Sequence, residues 1–82
     1  MVNPIEAEQA LRHRVGINLR ALRQSAGLTL RKAAELAEIH WRHLQKIEAG
    51  EINITLYTLV RLACALHADA AALLGHRWQP VN

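Results

Sequence analysis

The chain has 82 residues, 51% of them apolar and 4% aromatic, so it is one small domain with an aliphatic, Leu- and Ala-rich core that favours helices over strands. No apolar run approaches the ~18–20 residues of a membrane span, no basic-then-apolar leader opens the sequence, and a lone Cys64 excludes an internal disulfide; a cytoplasmic protein is expected. The net charge of +3 permits nucleic-acid binding without arguing for it, so what matters is where the charges sit.

Asn3-Pro4-Ile5-Glu6 reads as a helix start, with Asn as cap, Pro at the first helical position and Glu at the positive helix end. The first helix is expected to run to about Ala26, with residues 1–14 free to fray. Leu11, Val15, Leu19 and Leu22 recur at helical spacing and make its predicted core face, and Ala26-Gly27 ends it. Thr29 caps a second helix over about Leu30 to Ala37, where Ala33, Ala34 and Ala37 leave one side thin enough for close approach by a neighbour.

A very short connection, Glu38-Ile39-His40, leads to a third helix from Trp41 to about Ala49, stopped by Gly50. Leu44 and Ile47 share one face of it, a core face. Trp41, Arg42, Gln45 and Lys46 share another, cationic and rich in planar donors, as a helix laid in a DNA major groove requires. Thr55 caps a fourth helix, about Leu56 to Leu66, whose apolar stripe is wider than one small core needs. Cys64 sits in it and is expected to be a small buried apolar residue. Asp69 caps a short fifth helix through Leu74, and residues 75–82 form a tail containing Trp78. The expected architecture is all-α: five helices and no strand.

The second and third helices are short and nearly contiguous, a helix-turn-helix candidate. Both break the same local rule. Arg31 and Lys32 lie in the first turn of one, and Arg42 in the first turn of the other, where the helix dipole disfavours cations. An anion docked there removes the conflict, and phosphate is the obvious one. The bland alternative is that three basic residues fall there by chance. Enzymatic chemistry has no foothold: the hydroxyl side chains Ser25, Thr29, Thr55, Tyr57 and Thr58 lie in no nucleophile or phosphate-loop motif. His40 and His43 could share a face, but no nearby residue completes a four-ligand metal set, and no cofactor site is expected. His40 instead takes the cap position of the third helix, against backbone or phosphate; His13, His67 and His76 read as surface residues.

The stretch Leu19-Arg20-Ala21-Leu22-Arg23, then Gly27-Leu28-Thr29, Ala33-Ala34, Ile39, Leu44, Ile47-Glu48, Gly50, Asn53-Ile54-Thr55-Leu56 and Leu62-Ala63-Cys64-Ala65-Leu66 resembles the Cro/lambda-repressor-type helix-turn-helix family, also called the Xre family. The likeness runs without a gap from about Val15 to Leu74. It implies a compact five-helix lambda-repressor-like domain, with Arg23 and Glu48 as a largely buried ion pair tying the first helix to the third. It also implies that Trp41, Arg42 and Lys46 face base edges with Gln45 beside them, and that His43 and the backbone around Asn53 and Ile54 approach phosphates. Small members with an Asn-x-Thr/Ser-Leu segment look similar to controller proteins of restriction–modification systems; compact phage-type repressors and antitoxins share that segment. Three positions depart from the family pattern. Glu38 stands where the turn usually has Gly, Leu30 where a polar Gln often begins the second helix, and Glu51 lies in a 50–55 loop without Lys or Arg.

The resulting expectation is a sequence-specific regulator that binds double-stranded DNA as a homodimer on an inverted repeat. Trp41, Arg42, Gln45 and Lys46 would touch bases, while Thr29, Leu30, Arg31, Lys32, His40, His43 and Asn53 would touch the backbone. Its dimer surface is expected on the fourth helix, fifth helix and tail, at Leu56, Tyr57, Val60, Leu73 and Trp78. Two rivals stand beside it. One is an antitoxin-type module that binds a toxin and DNA only secondarily, against which the shortness of His76–Asn82 argues. The other is a fold that has lost DNA binding, with Leu30, Glu38 and Glu51 as its signature.

Overall fold

The computed structural model describes residues 3–75. It contains five helices, α1 (Pro4–Ser25), α2 (Leu30–Ala37), α3 (Trp41–Glu48), α4 (Leu56–Ala65) and α5 (Ala70–Leu73), and no strand among the described residues. The architecture is therefore the all-α one expected. No helix among the described residues is long and apolar enough to cross a membrane.

Each helix is opened by a side chain that accepts an otherwise orphaned N–H, a device worth about 1 kcal/mol per helix. Asn3 accepts from Ile5, Thr29 from Lys32, His40 from Arg42, Thr55 from Thr58 and Asp69 from Ala71. The ends are equally local. Gly27 takes φ 72° and the Leu28 N–H reaches back to the Arg23 carbonyl, closing α1.

The core draws on all five helices: Val15, Leu19 and Leu22; Ala33, Ala34 and Ala37; Leu44 and Ile47; Leu59, Leu62, Ala63 and Leu66; and Leu73. The small face of α2 lets α3 and α4 approach it closely. Asn18 is buried among these apolar groups because its amide donates to the carbonyls of Leu73 (2.9 Å) and Gly75 (3.2 Å), which fastens the end of α5 to α1. Gly16 is buried where α1 crosses the end of α3. A Cβ there would lie 2.5 Å from the Glu48 carbonyl oxygen, so the helices can meet only over a bare Cα.

Three apolar residues differ from expectation. Leu11 is 39% exposed, because it lines an open apolar pocket with Ile52, Ile54 and Leu74 that covers it only in part. Cys64 is exposed rather than buried: Leu59, Leu62, Ala63 and Leu66 set the inward face of α4, and Cys64 falls with Leu56 and Val60 on its flank at i, i+4, i+8 spacing. Leu73 is a correction of the opposite kind. It is fully buried within the protomer, so it is no part of an outer surface as the dimer expectation required. Trp78, also expected there, lies outside the described residues.

The connection between α2 and α3 is a left-handed stop at a non-glycine residue. Glu38 has φ 58° and ψ 42°, its N–H bonds to the Glu35 carbonyl, and the Ile39 N–H returns to Ala34. Arg61 on α4 reaches this turn, donating to the Glu38 carbonyl at 2.9 Å and lying 3.4 Å from its carboxylate. The left-handed turn of the family type is thus kept without its usual glycine.

Candidate nucleic-acid interface

The inward placement of Leu44 and Ile47 leaves Arg42, Gln45 and Lys46 exposed on the opposite side of α3, with Trp41 half-buried at its start. The turn at Glu38 then sets the start of α3 beside the start of α2. This juxtaposition is visible in one contact: the Arg31 guanidinium carbon lies 4.4 Å from the centre of the Trp41 ring. Arg31 and Lys32 are exposed in the first turn of α2, and Arg42 in that of α3. Neither first turn contains an acid to offset them. Lys32 has only an exposed neighbour on its own helix, Glu35 at 3.7 Å, an arrangement worth little in water.

The two caps shape the same surface. Thr29 accepts from the Lys32 N–H, and His40 accepts from the Arg42 N–H through Nδ1 at 3.0 Å. With Nδ1 used as acceptor, the remaining ring nitrogen of the exposed His40, Nε2, is the one left to donate. Leu30 is half-buried and packs on the core, so only its backbone N–H is available to an anion. His43 and Asn53 are exposed. The loop after Gly50 has no cation of its own but borrows one for anchorage: Arg12, paired with Glu8 at 2.9 Å, donates to the Glu51 carbonyl at 3.2 Å.

Behind this surface, Arg23 and Glu48 form a two-pronged pair. Nε of Arg23 donates to Glu48 at 2.7 Å and a second nitrogen at 3.0 Å, while a third donates to the Leu28 carbonyl at 3.0 Å. The side chains are 13% and 7% exposed, so Glu48 is turned away from the exposed face of α3. The hydrogen bond to Glu48 holds the Arg23 guanidinium above its ordinary range, against the opposing pull of burial. The pair locks the end of α3 to α1 and so fixes the pose of the whole helix.

Sequence reasoning did not find Arg61, Gly16 or Asn18, each of which supports the site from behind. It also did not find the stacking of Arg31 on Trp41. A lone glycine and a lone asparagine in an otherwise amphipathic α1 are the only signals that stood in the sequence for two of them.

Two short helices held by a tight left-handed turn, with the first turn of each cationic and exposed, define a helix-turn-helix protein. Residues 14–74 match the family model described as a helix-turn-helix domain. Control protein C.SmaI of Serratia marcescens is 35% identical over 57 residues, covering 70% of this chain and 68% of that protein. The clp gene regulator ClgR from Corynebacterium glutamicum superposes with a TM-score of 0.75 at 33% identity, over 78% of this chain and 68% of that one. The restriction-modification controller protein C.AhdI from Aeromonas hydrophila superposes with a TM-score of 0.74 at 29% identity, over 76% of this chain and 94% of that one. The chain belongs to the helix-turn-helix family of DNA-binding transcription regulators, and it is not an enzyme.

Proposed function

We propose that this protein is a controller-type transcription regulator that binds an inverted-repeat operator in double-stranded DNA as a homodimer, with α3 in the major groove. Arg42 and Lys46 donate to base edges, guanine being the commonest target of either, and Gln45 adds a polar base contact. Trp41 borders these three. Thr29, the Leu30 backbone N–H, Arg31, Lys32, His40 Nε2, His43 and Asn53 contact phosphates and set the register of α3 without reading sequence.

The observation that carries this reading is the adjacency of the two cationic first turns, with Arg31 of α2 stacked 4.4 Å from Trp41 of α3. Cations at a helix start are unfavourable without an anion, and two such starts side by side suit a phosphate backbone. The likeness to two controller proteins supports the subtype. One module reads too few base pairs for useful discrimination, so two copies engage half-sites about one helical turn, ~34 Å, apart. Exposed Leu56, Tyr57 and Val60 on α4 (76%, 70% and 45%) support a twofold contact there. Such a regulator works in the cytoplasm, at the nucleoid.

Selection of sites from random duplex DNA, followed by a salt series on the winner, tests the reading. Expected is an enriched inverted repeat whose affinity falls steeply with salt. No enrichment from folded, dimeric protein would overturn it.

A further inference from the structure

One indole gathers an arginine from each of the helix-turn-helix helices. The guanidinium carbon of Arg31, from α2, lies 4.4 Å from the Trp41 ring centre, and that of Arg42, from α3, lies 5.3 Å from it. The His40 imidazole stacks beside the same ring, with centroids 5.8 Å apart and planes at 27°. Trp41 is half-buried and packs on the core, whereas Arg31, Arg42 and His40 are exposed. The indole is therefore the fixed member of the group and the cations are the movable ones. Among the described residues, neither Arg31 nor Arg42 has a carboxylate partner to hold it instead.

A solvated arginine samples many rotamers and loses them when it binds an anion. Stacking on an immobile ring removes part of that freedom in advance. Guanidinium donors lie in the plane of the group, so a guanidinium held over a ring by cation–π attraction can keep N–H groups free for phosphate or base. A half-buried ring with three planar neighbours within 5.8 Å of its centre is already engaged by protein groups that compete with a thymine methyl.

We propose that Trp41 is the positioning residue of this interface: it presents Arg31 to a phosphate and Arg42 to a base edge, and does not itself read a base. The proposal rests on the DNA-binding reading above. Replacing a neutral residue should change the number of counterions released on binding.

The test measures affinity of the full chain for its selected duplex across a salt series. It compares wild type with Trp41→Phe, Trp41→Leu, Arg31→Ala and the double variant Trp41→Leu/Arg31→Ala. Trp41→Leu should weaken binding roughly tenfold. It should also lower the slope of log affinity against log salt by about one unit, although it removes no charge. Arg31→Ala should lower the slope by the same step, and the double variant should go no further. Trp41→Phe, which keeps a ring face, should stay within about threefold of wild type. An unchanged slope in Trp41→Leu, additive losses in the double variant, or loss of preference in Trp41→Leu at a base position that Arg42→Ala leaves unaffected would each overturn the proposal while leaving DNA binding intact. Failure of the wild type to bind any duplex would overturn the DNA-binding reading and this inference with it. A second measurement needs no variant. In NMR spectra of the free protein the Arg31 side-chain protons should be shifted upfield by the indole ring current, and random-coil shifts would equally overturn the assignment.

Discussion

Arg61 donates to the carbonyl of Glu38 across 2.9 Å, from the middle of α4 to the turn that joins α2 and α3. Glu38 is the left-handed residue of that turn, at φ 58°, where a side chain costs about 1–2 kcal/mol relative to glycine. The Arg61 bond goes to the backbone, so it does not depend on which residue occupies position 38. The carboxylate contact at 3.4 Å does, but the Glu38 side chain is 84% exposed and that contact contributes little. Glu38→Gly should therefore stabilise the fold by about 1 kcal/mol, visible as a melting temperature raised by several degrees. A lower melting temperature would mean that the carboxylate contact outweighs the strain.

The Arg23–Glu48 pair is the most deeply placed charge pair among the described residues, with side chains 13% and 7% exposed. Glu48→Ala would leave the guanidinium with only the Leu28 carbonyl at 3.0 Å. A buried charge stripped of its partner costs roughly 3–5 kcal/mol, a large share of a small domain's stability. Denaturant unfolding followed by circular dichroism should show the midpoint collapse. A midpoint unchanged within error would place the pair in solvent.

Gly16→Ala pits a local gain against a tertiary loss. Alanine favours a helix interior over glycine by about 1 kcal/mol. Here, however, the new methyl would lie 2.5 Å from the Glu48 carbonyl oxygen and 2.7 Å from that of Ile47, and backbone cannot swing aside as a side chain can. Forcing α1 off α3 should cost about 1–3 kcal/mol net, so thermal melting should fall by several degrees despite the better helix former. A rise would show that α1 and α3 can separate freely.

Asn18→Leu keeps the bulk of a core residue and removes the amide. The Leu73 and Gly75 carbonyls would then lose the donor at 2.9 and 3.2 Å that holds them to α1. The expected cost is about 1–3 kcal/mol. Amide hydrogen exchange should locate it, with protection falling first in α5 (Ala70–Leu73). Uniform loss of protection across α1 to α4 would argue against a local anchor.

Arg42→Ala tests the face of α3 that carries no core role. It should cost about 1–3 kcal/mol at one operator position and relax the base preference there, read by repeating the selection with the variant. An equal loss on every sequence would make Arg42 a phosphate contact.

Much of this protein was written in short-range patterns. Asn3, Thr29, Thr55 and Asp69 cap helices within three residues of themselves, and apolar residues at helical spacing marked the inward faces of α2 and α3. These are effects of neighbouring residues on one another, so the helix positions, the turn at residue 38 and the cationic first turns were legible without a structure. The resemblance added the Arg23–Glu48 pair, and the two lie 2.7 Å apart. What the tertiary structure decided is which distant groups meet. Arg61 reaches Glu38 across 23 residues of sequence, Asn18 reaches Leu73 across 55, and Arg31 settles on an indole of another helix. Burial of Leu73 and exposure of Leu11 and Cys64 belong to the same class. Periodicity says that a helix has an apolar side, but its crossing angles determine which end of that side is covered, and those are set only when all five helices pack at once.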